Sequence, residues 1–327
     1  MLKQYLSWIV VALALAVIAI ASVYFRDMHQ AYERIRGQSK VISSPYGDIE
    51  YAEGGSGPAV LVIHGSGGGF DQGELLARTV LGDRFHWIAP SRFGYLRSTF
   101  QPGATFDDQA HAYAQLLDHL QVRKAAVITL SHGGPSALLF AVLHPERVSS
   151  LTLLSAGVAS FDAPNQQQAN EQGDSLMKIF QQDVRYWVIT KVFHKQFLRL
   201  MGVNDRVIAE LTPEQRQLVD AVIGGMNPVS QRAAGTVFDN RAKMPNERIA
   251  ALRVPTLILH ARDDTLQIFR NAEYAASTIA GSRLVAFDRG GHLLMAVEQP
   301  TIRTATQQHI LAHLGGLRQP VDESRVR

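Results

Sequence analysis

Residues 125–136 read AAVITLSHGGPS. Ala125–Leu130 is a short apolar run of the kind that forms a strand buried on both faces. It runs into Ser131, and Gly133 and Gly134 follow before a helix-forming stretch. A sharp strand-to-helix turn lifts a serine hydroxyl clear of a sheet, and such a turn needs small neighbours. The usual spacing is G-x-S-x-G. Here it is Thr129-Leu130-Ser131-His132-Gly133, with Thr at the first position. Taken alone, the segment has a competing reading, an ordinary serine N-cap.

Outward from this stretch, short apolar runs recur at Ala59–Ile63, Trp87–Ala89, Leu151–Leu154 and Pro255–Leu259. Between them lie helical patterns. Phe106, Ala110, Tyr113, Leu117 and Leu120 fall at spacings of three and four, which makes one apolar helix face. Leu138, Leu139 and Val142 serve the helix after Ser131 in the same way. Strands alternating with helices predict an α/β class, a mostly parallel sheet flanked by helices. From about 161 to 246 the alternation stops. Apolar residues there include Ile179, Phe180, Trp187, Val188, Val192, Phe197, Leu198 and Met201. Thr212-Pro213-Glu214-Gln215 has the look of a helix start, with Thr as N-cap and Gln three residues on. The segment reads as a helical insertion between two strands.

Three further strand ends carry chemistry. Val62–Gly69 reads VIHGSGGG, and backbone N–H groups freed by glycines can face a developing oxyanion; a loose turn is the plain alternative. No Gly-Lys-Ser/Thr follows, which argues against a phosphate loop. Leu257–Thr265 reads LILHARDDT, and a carboxylate on such a loop can orient an imidazole, although Asp is also common in surface turns. Val285–Leu293 reads VAFDRGGHL, with His292 placed after two glycines. The chain has 12 histidines, so most do no chemistry. His309 and His313 lie four apart without a third ligand in view and read as a packed or solvated pair.

Together these segments give the chain order Ser131, Asp264, His292 with an oxyanion loop upstream. On those residues the chain resembles the α/β-hydrolase superfamily over about Val41 to Gly316. His64-Gly65-Ser66-Gly67 matches the oxyanion loop. Ser91 to Ser98 resembles the D-x-R/P-G-x-G-x-S loop, with Ser91 where Asp is common. His260-Ala261-Arg262-Asp263-Asp264 matches a His-Gly-x-x-Asp signature and puts the acid at Asp264, with Asp263 as runner-up.

The resemblance implies acyl transfer. Ser131 attacks a carbonyl, His292 moves the proton and Asp264 orients His292. The backbone N–H groups of Ser66 and His132 hold the oxyanion, with His64, Gly65, Gly67, Gly133 and Gly134 shaping the supporting loops. No metal or cofactor is expected. The substrate expected is a small molecule with a hydrophobic acyl or ring-bearing part. Epoxide hydrolases and haloalkane dehalogenases are similar in order but use Asp as nucleophile, against Ser131. Hydrolases of carbon–carbon bonds in vinylogous diketones are the enzymatic runner-up; their elbow usually has Asn where Leu130 stands here. Esterases resembling cofactor-free haloperoxidases fall within the main reading. A non-catalytic binding protein on the same fold is a third reading, which the complete set of three roles disfavours.

At the N-terminus, residues 6–25 read LSWIVVALALAVIAIASVYF without a charge. About 20 residues at about 1.5 Å each span a bilayer core of about 30 Å. Trp8, Tyr24 and Phe25 lie near the ends, where aromatics favour the interface. The run is longer than the roughly 7–15 residues of a signal h-region, which favours an uncleaved anchor. Secretion after cleavage near Ala19-Ile20-Ala21 is the competitor. Lys3 and the amino terminus precede the span, and Arg26, Arg34, Arg36 and Lys40 follow it, a balance that leans toward a cytoplasmic C-terminal domain.

The chain of 327 residues is 46% hydrophobic and 19% charged, with a net charge of +3. No basic run interleaved with aromatics supports nucleic-acid binding. The absence of cysteine excludes disulfides, thiolate metal sites and a cysteine nucleophile. The organisation expected is an anchor and polar linker at 1–36, a hydrolase core at 37–160 and 247–318, a helical cap at 161–246, and a polar tail at 319–327. Oligomeric state is left open.

Overall fold

The computed structural model describes residues 2–314 apart from residue 163, so the tail expected at 319–327 lies outside the described residues. The chain opens with one helix, α1 (Leu2–Ile35). The polar linker expected from Arg26 is therefore helical for most of its length. Two features explain this. There is no Gly or Pro before Gly37, and Met28 and Ala31 are buried, with Ala21, Tyr24 and Ile35 partly buried on the same stripe. A helix with a packed face keeps its hydrogen bonds where charged residues alone would fray.

An eight-stranded sheet follows: β1 (Lys40–Ser44), β2 (Gly47–Gly54), β3 (Ala59–Ile63), β4 (His86–Pro90), β5 (Ala125–Leu130), β6 (Val148–Leu154), β7 (Thr256–Ala261) and β8 (Arg283–Phe287), in the order β1-β2-β4-β3-β5-β6-β7-β8. β1 and β2 are antiparallel to their neighbours, and β4 to β8 run parallel to β3. Alternate side chains of the central strands enter different cores. Val60 and Val62 pack with α2 (Phe70–Val80), whereas Leu61 and Ile63 pack with α3 (Phe106–His119) and α4 (Gly134–Leu143). That is the consequence of the two-residue strand period with helices on both faces.

Between β6 and β7 run α5 (Pro164–Ile179), α6 (Asp183–Val192), α7 (His194–Leu200), α8 (Asp205–Glu210), α9 (Pro213–Gly225) and α10 (Ala233–Arg241). Thr212 and Gln215 form the reciprocal capping pair at the start of α9 that the sequence predicts. Helices α5 to α9 join the core that also takes Leu130, Leu154 and Leu259, so they close over the C-terminal ends of the central strands, while Phe238 of α10 packs in the other core. α11 (Arg270–Thr278), α12 (Leu294–Val297) and α13 (Gln299–Ala312) complete the fold. His309 Nε2 lies 3.2 Å from the Pro255 carbonyl oxygen, and its ring centroid lies 4.7 Å from that of His313.

Candidate active site

Ser131 follows the last residue of β5 directly. Its φ of 53° lies in the left-handed region, which a non-glycine residue occupies at a cost of about 1–3 kcal/mol. The turn survives because its neighbours are small. A Cβ on Gly65 would lie 3.0 Å from Ser131 Cβ, and one on Gly133 would lie 2.5 Å from the His64 carbonyl oxygen and 2.6 Å from Thr129 Oγ1. Gly133 thus leaves the room in which Thr129 replaces the usual glycine.

The structure brings the three residues of the sequence reading together. Ser131 Oγ and His292 Nε2 are 2.8 Å apart, and His292 Nδ1 lies 2.8 Å from Asp264 Oδ2. All three are buried. Asp264 is held by backbone: its Oδ1 accepts from the N–H groups of Leu266 and Gln267, both at 2.9 Å. That leaves Oδ2 for His292, whose Nδ1–H donates to it and whose Nε2 is then the acceptor for the Ser131 hydroxyl. The runner-up Asp263 turns elsewhere. It accepts from Gly291 N at 2.8 Å and from Asn204 Nδ2 at 2.7 Å, and so braces the loop that carries His292. From the inserted helices, the Gly202 carbonyl takes the His292 N–H at 3.2 Å.

Ser66 and His132 both line the cavity in front of Ser131. The loop bearing Ser66 is pinned at several points. Arg92 N–H donates to His64 Nε2 at 2.9 Å, so the His64 proton sits on Nδ1 and is donated to the Gly65 carbonyl at 2.7 Å. Burial drives the His64 ring well below its ordinary pKa, and the Arg92 charge pushes the same way, so the ring is neutral. Gln72 Oε1 accepts from Gly65 N at 2.9 Å. Gly67 has a φ of 73° and passes under Phe180 and Met226 of the inserted segment, and Gly134 starts α4 against the Gly157 carbonyl.

Sequence reasoning missed the charged pair beneath this loop. Arg92 and Asp239 are buried and joined by two hydrogen bonds of 2.6 Å. Asp239 Oδ2 also accepts from Tyr95 Oη at 2.5 Å and from Ser66 Oγ at 2.8 Å. Burial pushes the Asp239 carboxyl up, but the Arg92 charge and these hydrogen bonds outweigh it, and the net direction is down. A helix of the insertion is therefore tied to the proposed oxyanion loop. The carboxylate missing at Ser91 also has a stand-in: Ser91 Oγ donates to Glu50 Oε2 at 2.8 Å, and Glu50 takes Arg97 as well.

The cavity measures about 100 Å³ and is mainly apolar, with Leu176, Met177, Phe180, Met226 and Met295 around Ser131 and His292. Among the described residues no group of three or more carboxylates and histidines is gathered as a metal site.

A family model described as alpha/beta hydrolase fold matches residues 58–299. The uncharacterized hydrolase YcgS of Bacillus subtilis is 30% identical over 259 residues, which is 76% of this chain and 89% of that protein. Among solved structures, a thermophilic esterase from Thermogutta terrifontis is 21% identical with a TM-score of 0.65, covering 85% of this chain and all of that one. A membrane phospholipase A described as a bacterial virulence factor is 22% identical with a TM-score of 0.67, covering 96% of this chain and all of that one. At these identities the two structures speak to the fold alone.

Proposed function

The chain belongs to the α/β-hydrolase fold family, and on that footing we propose that it is a serine hydrolase of carboxylic esters with Ser131 as nucleophile. The observation that carries this is the continuous hydrogen-bonded chain from Ser131 through His292 to Asp264 at a strained strand end. Ser131 Oγ attacks the ester carbonyl while His292 Nε2 takes its proton. The Asp264 carboxylate stabilises the imidazolium that forms. The N–H groups of Ser66 and His132 receive the oxyanion. His292 then protonates the departing alcohol, and water, deprotonated by the same imidazole, releases the acid.

A cavity of about 100 Å³ is smaller than the roughly 150 Å³ apolar cavity that takes benzene. The acyl part it accepts as it stands is short. Methionines on its wall repack with little cost, so larger apolar groups enter by moving side chains. Helices α5–α10 act as the lid. The test uses the full chain in detergent with short-chain p-nitrophenyl esters and a vinylogous diketone. Ester turnover lost in Ser131→Ala, with loss of fluorophosphonate labelling, is the expected result. Unchanged ester hydrolysis in that variant refutes the nucleophile; faster cleavage of the diketone than of any ester moves the reading to carbon–carbon hydrolysis.

We also propose that α1 is an uncleaved single-pass anchor. Its apolar half has a mean hydropathy of 2.7 and stands clear of the fold, while its other half is packed on the inserted helices without a break between them. Retention of residues 1–21 in the mature protein, together with resistance to carbonate extraction, is the expected outcome; a chain starting near Ser22 refutes it.

A further inference from the structure

We propose that the corner between α6 and α7, carrying Val192 and Phe193, lies in the headgroup region of the same bilayer that α1 crosses. This rests on the anchor reading and adds a second, independent membrane contact. α6 runs antiparallel to the end of α1. Near the start of α6, Tyr32 Oη donates to Asp183 at 3.4 Å. One turn on, Trp187 Nε1 donates to Asp27 at 3.1 Å, and its ring stands edge-on to Tyr24 at 5.5 Å. A further turn on, Lys191 reaches Asp27 at 3.1 Å. Following α6 from Asp183 to Val192 therefore means descending α1 from Tyr32 toward Tyr24.

The depth follows from length. The uncharged run of α1 ends at Phe25, and about 20 residues are what a hydrocarbon core of about 30 Å requires. Tyr24 and Phe25 thus mark the boundary. The last turn of α6 and the start of α7 stand at that level.

The side chains match the place. Val184, Val188 and Val192 are 52%, 37% and 65% exposed, and Phe193 is 49% exposed. Three of them recur every four residues, one position round the helix from the Asp183, Trp187 and Lys191 face that grips α1. They therefore form one stripe flanking the span, and its most exposed member is Val192, at the membrane end. Val188 and Val192 are among the apolar residues that mark the inserted segment in the sequence, and the fold does not bury them. Lys191 and Lys195 sit beside the stripe with side chains more than half exposed, as cations near phospholipid headgroups do. Scattered exposed valines need no partner, but a stripe continuous with Tyr24 and Phe25 of a membrane span has lipid next to it.

The natural chain has no cysteine, so each single-Cys variant takes an environment-sensitive dye at one site. Val17→Cys, Phe193→Cys, Val192→Cys and Glu33→Cys full chains are reconstituted in nanodiscs, one copy per disc. The lipids carry a nitroxide high on the acyl chain, and iodide is the aqueous quencher. Glu33 lies about 12 Å beyond Phe25 along α1 and reports water. The expected result is at least twofold lipid quenching and at least threefold iodide protection at 192 and 193, relative to 33. If 193 and 192 behave like 33 while 17 is in lipid, the anchor stands and the second contact is refuted. If both quenchers fail at 193, protein covers the stripe and the assignment to lipid is wrong. If 17 is accessible to iodide, or absent from the mature chain, the anchor reading falls and takes this one with it.

Discussion

Replacing Asp239 by Ala tests the buried pair beneath the Ser66 loop. Arg92 is wholly buried and would keep its charge with no carboxylate at hand. Tyr95 and Ser66 would lose their common acceptor as well. Breaking one side of a buried ion pair costs about 3–5 kcal/mol, most of it the stranded charge. With a urea slope of about 1–3 kcal/mol per molar, the midpoint falls by about 1 M or more. Tryptophan fluorescence follows the transition. The double variant Arg92→Met, Asp239→Leu removes both charges and recovers most of the loss, because the pair's own net contribution is small. Ser66→Ala separates the local effect: it deletes one hydrogen bond, costs about 1 kcal/mol, and leaves the backbone N–H in place. A midpoint shift under about 0.3 M in Asp239→Ala, or a double variant as unstable as the sum of the singles, refutes the reasoning.

Asp264→Asn is expected to cut ester turnover by about 10⁴-fold by spoiling the His292 tautomer, whereas Asp263→Asn, which only braces the loop, stays within about tenfold; equal losses would reverse the assignment. Burial lowers the pKa of His64, His132 and His260, in the last case against the pull of Asp264. Each therefore binds a proton more readily unfolded than folded, so stability is full above about pH 6.5 and drops as pH falls below it toward the folded values. Urea midpoints that stay level from pH 7.5 to 5.5 contradict this. Gly134→Ala puts a Cβ 2.2 Å from the Gly157 carbonyl oxygen and is expected to lower the melting temperature sharply. Gly173→Ala, in α5 with nothing within 4 Å, is expected to raise stability by about 0.4–1 kcal/mol; calorimetry of the two variants checks both signs.

The strands of the central sheet were legible because each is a short apolar run ending in glycine or a charged loop. The elbow at Ser131 and the loop of His292 were legible for the same reason: their backbone demands are local and leave small residues in the sequence. β1 and β2 carry mixed polarity at the sheet edge and gave no such pattern. Asp239 was illegible for another cause. Its partners Arg92 and Ser66 lie 147 and 173 positions away, and a lone Asp on a helix announces nothing about what it will meet. The helical state of Arg26–Ile35 was hidden by its charges, although Tyr24, Met28, Ala31 and Ile35 already stood at helical spacing.

α1 has a mechanical consequence. On the anchor reading proposed above, a flexible tether would let the folded domain drift above the bilayer, whereas one unbroken helix joins the two as a lever. Arg34 clamps its upper end onto the carbonyls of Gly225 and Asn227, at the end of the helix whose Val219 and Val222, with Met226 beyond, face the cavity. Leaning the lower arm would then push on a wall of the pocket, and the thickness of whatever sheath surrounds that arm would become an input to its shape.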